Sequence, residues 1–122
     1  MRVLLSIKPE YAFKIFEGSK KYEFRKIMFK RKDIERVIVY ASSPVQKVIG
    51  EFEIADILYE ETELLWQMTQ QYSGISKEFY DQYFENRDRA FAIQVGNVKE
   101  YAHPKTLSDF DIDFAPQSFA YL

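Results

Sequence analysis

The chain has 122 residues, 47% of them apolar and 30% charged, with a formal net charge of −2. That length supports one hydrophobic core, here taken as a single domain over residues 1–122, and that balance excludes a disordered chain. Cysteine is absent, which removes disulfides and thiolate metal sites, and no apolar run approaches the roughly 18 residues of a membrane helix.

Met1-Arg2 leads directly into a strand rather than a signal peptide, so cytoplasmic residence is expected. Val3 to Lys8 reads as the first strand, and Pro9 ends it by opening a helix, since proline suits the first helical position. Ala12, Ile15 and Phe16 share one face of that helix, with Phe13 near its edge. Gly18 supplies the stop, in the left-handed conformation that favours glycine. A second strand follows from Lys21. Strand side chains alternate, so Tyr22 and Phe24 share one face while Lys21, Glu23 and Arg25 share the other.

Lys26 to Arg36 fits neither period and reads as a loop, carrying Lys26, Lys30, Arg31 and Lys32. Such a run is either a solvated surface or a phosphate-contacting loop without sequence preference. Val37 to Ala41 is a buried strand by its continuous apolar character, broken by Ser42-Ser43-Pro44. Lys47 to Ile57 is a long strand in which Gly50 marks a bulge or a close backbone approach. Glu51 and Glu53 share one face of it.

Glu60 to Tyr72 is predicted helical, with Glu60, Glu61 and Glu63 at its positive end and Leu64, Leu65, Met68 and Tyr72 as its apolar stripe. Gly74 closes it. Ser76 is an N-cap for a further helix, whose Phe79, Tyr80, Tyr83 and Phe84 are assigned to the core and not to a stacking platform. Ala90 to Val95 is a strand, with a turn or bulge at Gly96-Asn97 before Val98 to Ala102. His103 falls in the loop before Pro104. With no second histidine and no cysteine nearby, no metal site and no cofactor are expected, and no serine stands in a nucleophile-elbow context.

The stretch Gly18-Ser19-Lys20-Lys21-Tyr22-Glu23-Phe24-Arg25 carries the chemistry. Arginine and glutamate on one strand face are costly if that face is buried, because buried charges must be paired or hydrogen-bonded. The stretch is therefore either a structural ion pair, with the side chains closing a gap of about 6.7 Å between alternate residues, or the floor of a polar pocket. Its residues fit G-x-K-x-x-E-x-R at Gly18, Lys20, Glu23 and Arg25. With the strand Leu4 to Pro9, the segment Val48 to Glu53, Phe91-Ala92-Ile93 and the ending Pro116 to Phe119, this order resembles the ASCH domain family of the PUA-like superfamily along nearly the whole chain.

The resemblance implies an α+β fold, a PUA-like small mixed β-barrel of about five to six strands with two or three flanking helices and a tail packed back on the barrel. It also implies RNA or nucleotide binding, in RNA processing or transcriptional coregulation, through a cleft around the motif. On that reading Lys20 and Arg25 contact phosphate or a base edge and Glu23 accepts from an exocyclic amino group. Lys21, Lys26, Lys30, Arg31 and Lys32 extend the binding surface.

Some relatives resembling this family hydrolyse the amide of an N4-acylated cytidine-type nucleoside with a lysine, a threonine and a glutamate. Lys20 matches the lysine, but Glu23 stands at the threonine's position, and the remaining glutamate maps to either Glu51 or Glu53. A third reading is a protein-partner module whose Glu23–Arg25 pair is purely structural. Charge adds one more expectation. Residues 1–50 hold twelve Lys or Arg against five Asp or Glu, whereas residues 51–122 hold five against fourteen. The first half attracts phosphates if it forms one side of the molecule, and not if the halves interleave.

Overall fold

Continuous apolar runs become the centre of a six-stranded sheet. In the computed structural model, which describes residues 1–122, the strands are β1 (Arg2–Ile7), β2 (Tyr22–Arg25), β3 (Arg36–Ala41), β4 (Lys47–Glu61), β5 (Arg89–Lys105) and β6 (Phe119–Tyr121). The helices are α1 (Pro9–Glu17), α2 (Thr62–Thr69) and α3 (Lys77–Tyr83). The strand order is β2-β5-β4-β3-β1-β6, with β1 and β3 parallel and the other pairs antiparallel. The sheet curls into a half-barrel whose free edges are β2 and β6, an α+β architecture of the PUA-like kind.

β1 and β3 are buried on both faces, which is why they read as unbroken apolar runs rather than alternating ones. Val3, Leu5, Ile7, Val37 and Val39 pack with Phe52, Ile93 and the α1 residues Ala12 and Ile15. Leu4, Ile38, Tyr40 and Val48 form a cluster on the opposite face. A third cluster joins Phe24 of β2 to Leu65 of α2 and to Tyr80 and Phe84 at α3. Each fully buried large apolar side chain stabilises by about 1.5–3 kcal/mol. Four of the five ion pairs lie on the surface, where such pairs contribute roughly 0–1 kcal/mol. Burial therefore holds the fold.

Local signals place the elements that frame the site. Gly18 caps α1 at φ +98°, its N–H reaching Lys14 O. Gly50 is a close approach, since a Cβ there would lie 2.6 Å from both Lys99 O and the Phe16 ring. Ser76 caps α3, its Oγ accepting from Phe79 N at 3.0 Å. Ser76→Ala is expected to cost about 1 kcal/mol, read as a lowered urea midpoint with an unchanged slope. The tail returns to the sheet, with β6 paired to β1 and Ser6 Oγ donating to Pro116 O at 2.7 Å. No helix is long and apolar enough to cross a membrane.

Three expectations are corrected. The helix predicted from Glu60 begins at Thr62, because β4 keeps pairing with β5 as far as Glu61↔Arg89 and this ladder overrides local helix preference. Glu60 and Glu61 are thus strand residues. The buried face also differs: Leu65 and Thr69 of α2 are buried, while Leu64, Met68 and, in the 3-10 turn Gln70–Tyr72 that follows, Tyr72 are exposed. At Gly96-Asn97 the bulge alternative holds: β5 runs through as one strand whose register against β4 shifts between Phe52↔Val98 and Ile54↔Val95. The third correction is His103, which β5 carries to an exposed strand position instead of a loop.

Candidate ligand-binding site

The curled sheet leaves a seam between the free edge of β2 and the end of β1, and a cavity of about 320 Å³ opens there. Its floor is Lys20, Glu23, Phe24 and Arg25; one wall is Ser6, Ile7 and Lys8 with Gln117. Tyr11 of α1 and Ile75, Phe79 and Tyr83 at α3 close the other side. The motif residues Lys20, Glu23 and Arg25 are thus brought together on one surface.

Lys20 is placed by the end of α1, where its backbone N–H reaches Lys14 O at 3.1 Å. Its side chain is 2% exposed. Nζ donates to Ser73 O at 2.6 Å and lies 4.9 Å from the Phe24 ring centroid and 5.5 Å from that of Tyr11. Burial lowers its pKa to about 8, opposed in part by the negative Glu23. Gly74 makes this packing possible. A Cβ there would lie 2.6 Å from Lys20 Cβ and Cγ.

Glu23 is buried, and its carboxylate stands 3.8 Å from Arg25 Nη1. That is an ion contact without hydrogen-bond geometry, and it leaves the carboxylate's acceptor sites available to the cavity. Arg25 is committed elsewhere. Its Nη2 donates to Ser118 O at 2.8 Å, so this side chain bridges the β2 edge to the segment entering β6, where no backbone ladder closes the barrel. Arg25 thus latches the seam, while Glu23 lines it.

Phe79 and Tyr83, assigned to the core from their helical spacing, are only part-buried and line the cavity. Their rings stack at 6.2 Å with an interplanar angle of 11°. Lys8 Nζ lies 5.5 Å from the Phe79 centroid and Lys26 Nζ lies 4.7 Å from that of Tyr83, so a cation stands at each end of the pair. A signal was present. Phe79/Tyr83 and Tyr80/Phe84 are two i, i+4 pairs offset by one residue, so together they make a face about 140° wide, with one pair at its edge. Phe24 also lines the cavity, because an edge strand is open on its flank and not only on its faces. Burial raises the Tyr83 phenol above its usual pKa.

The remaining candidates are spread more widely. Lys21 is exposed, with Nζ 4.4 Å from the Tyr72 ring centroid. Lys30, Arg31 and Lys32 are exposed on the loop after β2 and do not line the cavity, and Arg31 is held by Asp33 in a two-pronged contact. Phe29 and Ile34 pin that loop to the core. Glu51 and Glu53 also lie outside the cavity lining. Glu53 accepts from Arg36 Nη2 at 3.0 Å and from Asn97 Nδ2 at 3.2 Å.

The model of the ASCH domain matches residues 5–99 of this chain. An ASCH domain-containing ribonuclease of Zymomonas mobilis is 32% identical over 90 residues, which span 74% of this chain and 61% of that protein. The large ribosomal subunit protein uL22 of Ureaplasma parvum serovar 3 is 32% identical over 123 residues, 98% of this chain but 39% of its own length. The chain thus spans about two fifths of that relative. Among solved structures, the crystal structure of ASCH from Zymomonas mobilis superposes with a TM-score of 0.89 at 28% identity, covering 99% of this chain and 87% of that one.

Proposed function

The chain belongs to the ASCH domain family, and from that premise we propose that it binds RNA, or a single nucleotide, with one base held in the seam cavity. The observation that carries this reading is the open carboxylate of Glu23 below the stacked rings of Phe79 and Tyr83. A carboxylate accepts hydrogen bonds and repels phosphate, so the floor of the cavity suits an exocyclic amino group, as on cytosine. Flat aromatic walls suit the faces of a base. Phosphate then belongs at the rim, where Lys8 and Lys26 are exposed and uncommitted to ion pairs. Lys21, Lys30 and Lys32, exposed outside the cavity, add long-range attraction for phosphate. The ribonuclease name of the Zymomonas relative supports RNA as the polymer. RNA processing or transcriptional coregulation, by a single cytoplasmic domain, is the wider role this proposal carries.

The test is Glu23→Gln, an isosteric change that replaces half of the acceptor set with a donor. Affinity for a short single-stranded oligocytidylate is expected to fall about tenfold or more, from roughly 1–3 kcal/mol of lost base-edge contact, with an unchanged melting temperature. Wild-type binding is expected to weaken as salt rises, through the rim lysines. Equal affinity of the two proteins sinks the base-edge role of Glu23.

A hydrolytic reading draws on Lys20, whose amine is brought near neutral pH beside a carboxylate. Glu23 would then activate water against the amide of an N4-acylated cytidine-type nucleoside. No threonine lines the cavity, and Ser6 Oγ is engaged by Pro116 O. Turnover of N4-acetylcytidine that disappears in Lys20→Met would favour it.

A further inference from the structure

We propose that Tyr59 and Phe91 form a second base-stacking subsite, which takes the nucleotide next to the one in the seam cavity. The inference rests on the reading of that cavity as a base pocket and extends it from a nucleotide to a strand.

Cross-strand register carries the argument. Arg25 pairs with Phe91, and Phe91 with Tyr59, so these three stand in one row on the sheet face that carries Glu23. Adjacent strands lie about 4.8 Å apart, which puts the Tyr59 backbone roughly 10 Å from that of Arg25 across the sheet. The cavity floor and this row are therefore continuous. Tyr59 and Phe91 stack at 4.3 Å with an interplanar angle of 26°, and Tyr59 remains 48% exposed. Arg89 Cζ sits 4.8 Å from the Tyr59 ring centroid, while Arg89 Nη2 donates to Tyr59 O at 3.3 Å.

A pre-stacked ring pair with a guanidinium against it, open to solvent on a sheet, is a surface on which a base can stack without sequence preference. The pair gains little for the fold by this exposure, since an apolar ring left half in water contributes less burial than one in the core. The occupant is a nucleobase and not a phosphate, because Glu61 stands across from Arg89 two rows on, on the same sheet face, and offsets its charge. This has a measurable consequence. Losing the platform changes affinity but not the salt dependence.

The experiment compares Tyr59→Ala and Tyr59→Phe with the wild type, using cytidine monophosphate and a short oligocytidylate at two salt concentrations. Tyr59→Ala is expected to weaken the oligonucleotide about tenfold while leaving the mononucleotide and the salt slope unchanged; Tyr59→Phe, which keeps the ring, stays near wild type. Equal oligonucleotide affinity of Tyr59→Ala and wild type overturns the subsite, and so does an equal loss for both ligands. If the wild type binds neither ligand, the pocket reading and the subsite fall together. If it binds the oligonucleotide in a Tyr59-dependent way but not the mononucleotide, the platform stands and the pocket reading alone fails.

Discussion

Lys20→Met is expected to make the protein more stable at pH 7 by about 2 kcal/mol and to lower its RNA affinity more than tenfold. Burial draws the lysine from 10.5 down to about 8. Because the folded value lies below the unfolded one, the unfolded chain binds more protons between about pH 8 and 10.5. Stability therefore rises with pH across that window, and the full cost of the buried charge is present below it. At 1.36 kcal/mol per unit the cost is roughly 3 kcal/mol. Methionine keeps the packing of the stem under Gly74 but gives up the contact with Ser73 O, worth about 1 kcal/mol, which leaves the net near 2. Binding moves the other way, since a charge-assisted contact contributes about 1.5–3 kcal/mol. Urea unfolding of both proteins at pH 7 and pH 9.5 checks the first half: wild type gains stability between the two and Lys20→Met does not. A variant less stable than wild type at pH 7 would make Lys20 a structural donor to the 73–75 loop, and the functional weight placed on it would lapse.

The parts of this design legible in the sequence are those fixed by short-range chemistry. Pro9 and Gly18 bracket α1, Ser76 opens α3, and the apolar runs at β1 and β3 become the doubly covered centre of the sheet. The motif could be read as charge on an edge of the barrel, and Lys20, Glu23 and Arg25 do meet at one cavity. What could not be read was anything set by pairing between distant strands. Glu60 and Glu61 have good helix preference, yet they continue β4 because β5 lies alongside. The same long pairing carries His103 through as strand. The stacking wall was hidden for a different reason: Phe79 and Tyr83 differ from their core neighbours only in which way a seven-residue helix is rotated, and Phe24 sets that rotation by packing against Tyr80 and Phe84. The division of labour within the motif was equally out of reach. It depends on Ser118, ninety-three residues beyond Arg25, arriving to accept its guanidinium.

Gly74→Ala is expected to destabilise the fold by about 3 kcal/mol and to lower RNA affinity, although Gly74 itself stands outside the cavity lining. Two costs combine. Gly74 lies at φ +69°, where an alanine is strained by roughly 1–2 kcal/mol. Its Cβ would also fall 2.6 Å from Lys20 Cβ and Cγ, the near end of a side chain that has little freedom to retreat. Lys20 is flanked by Tyr11 and Phe24 and tied to Ser73 O, while Lys21 N–H reaches Tyr72 O at 2.8 Å and Lys14 Nζ reaches Gly74 O at 3.1 Å. Overpacking at such a position costs about 1–3 kcal/mol more. Gly74→Asn separates the two terms. Asparagine tolerates the left-handed conformation but brings the same Cβ, so it rescues stability only if the backbone is the problem. If the wedge against Lys20 dominates, asparagine is as damaging as alanine, and oligocytidylate affinity falls with both. A stable Gly74→Asn with wild-type affinity would mean that the loop can shift away from Lys20, and that the lysine's depth is set by Tyr11 and Phe24 alone.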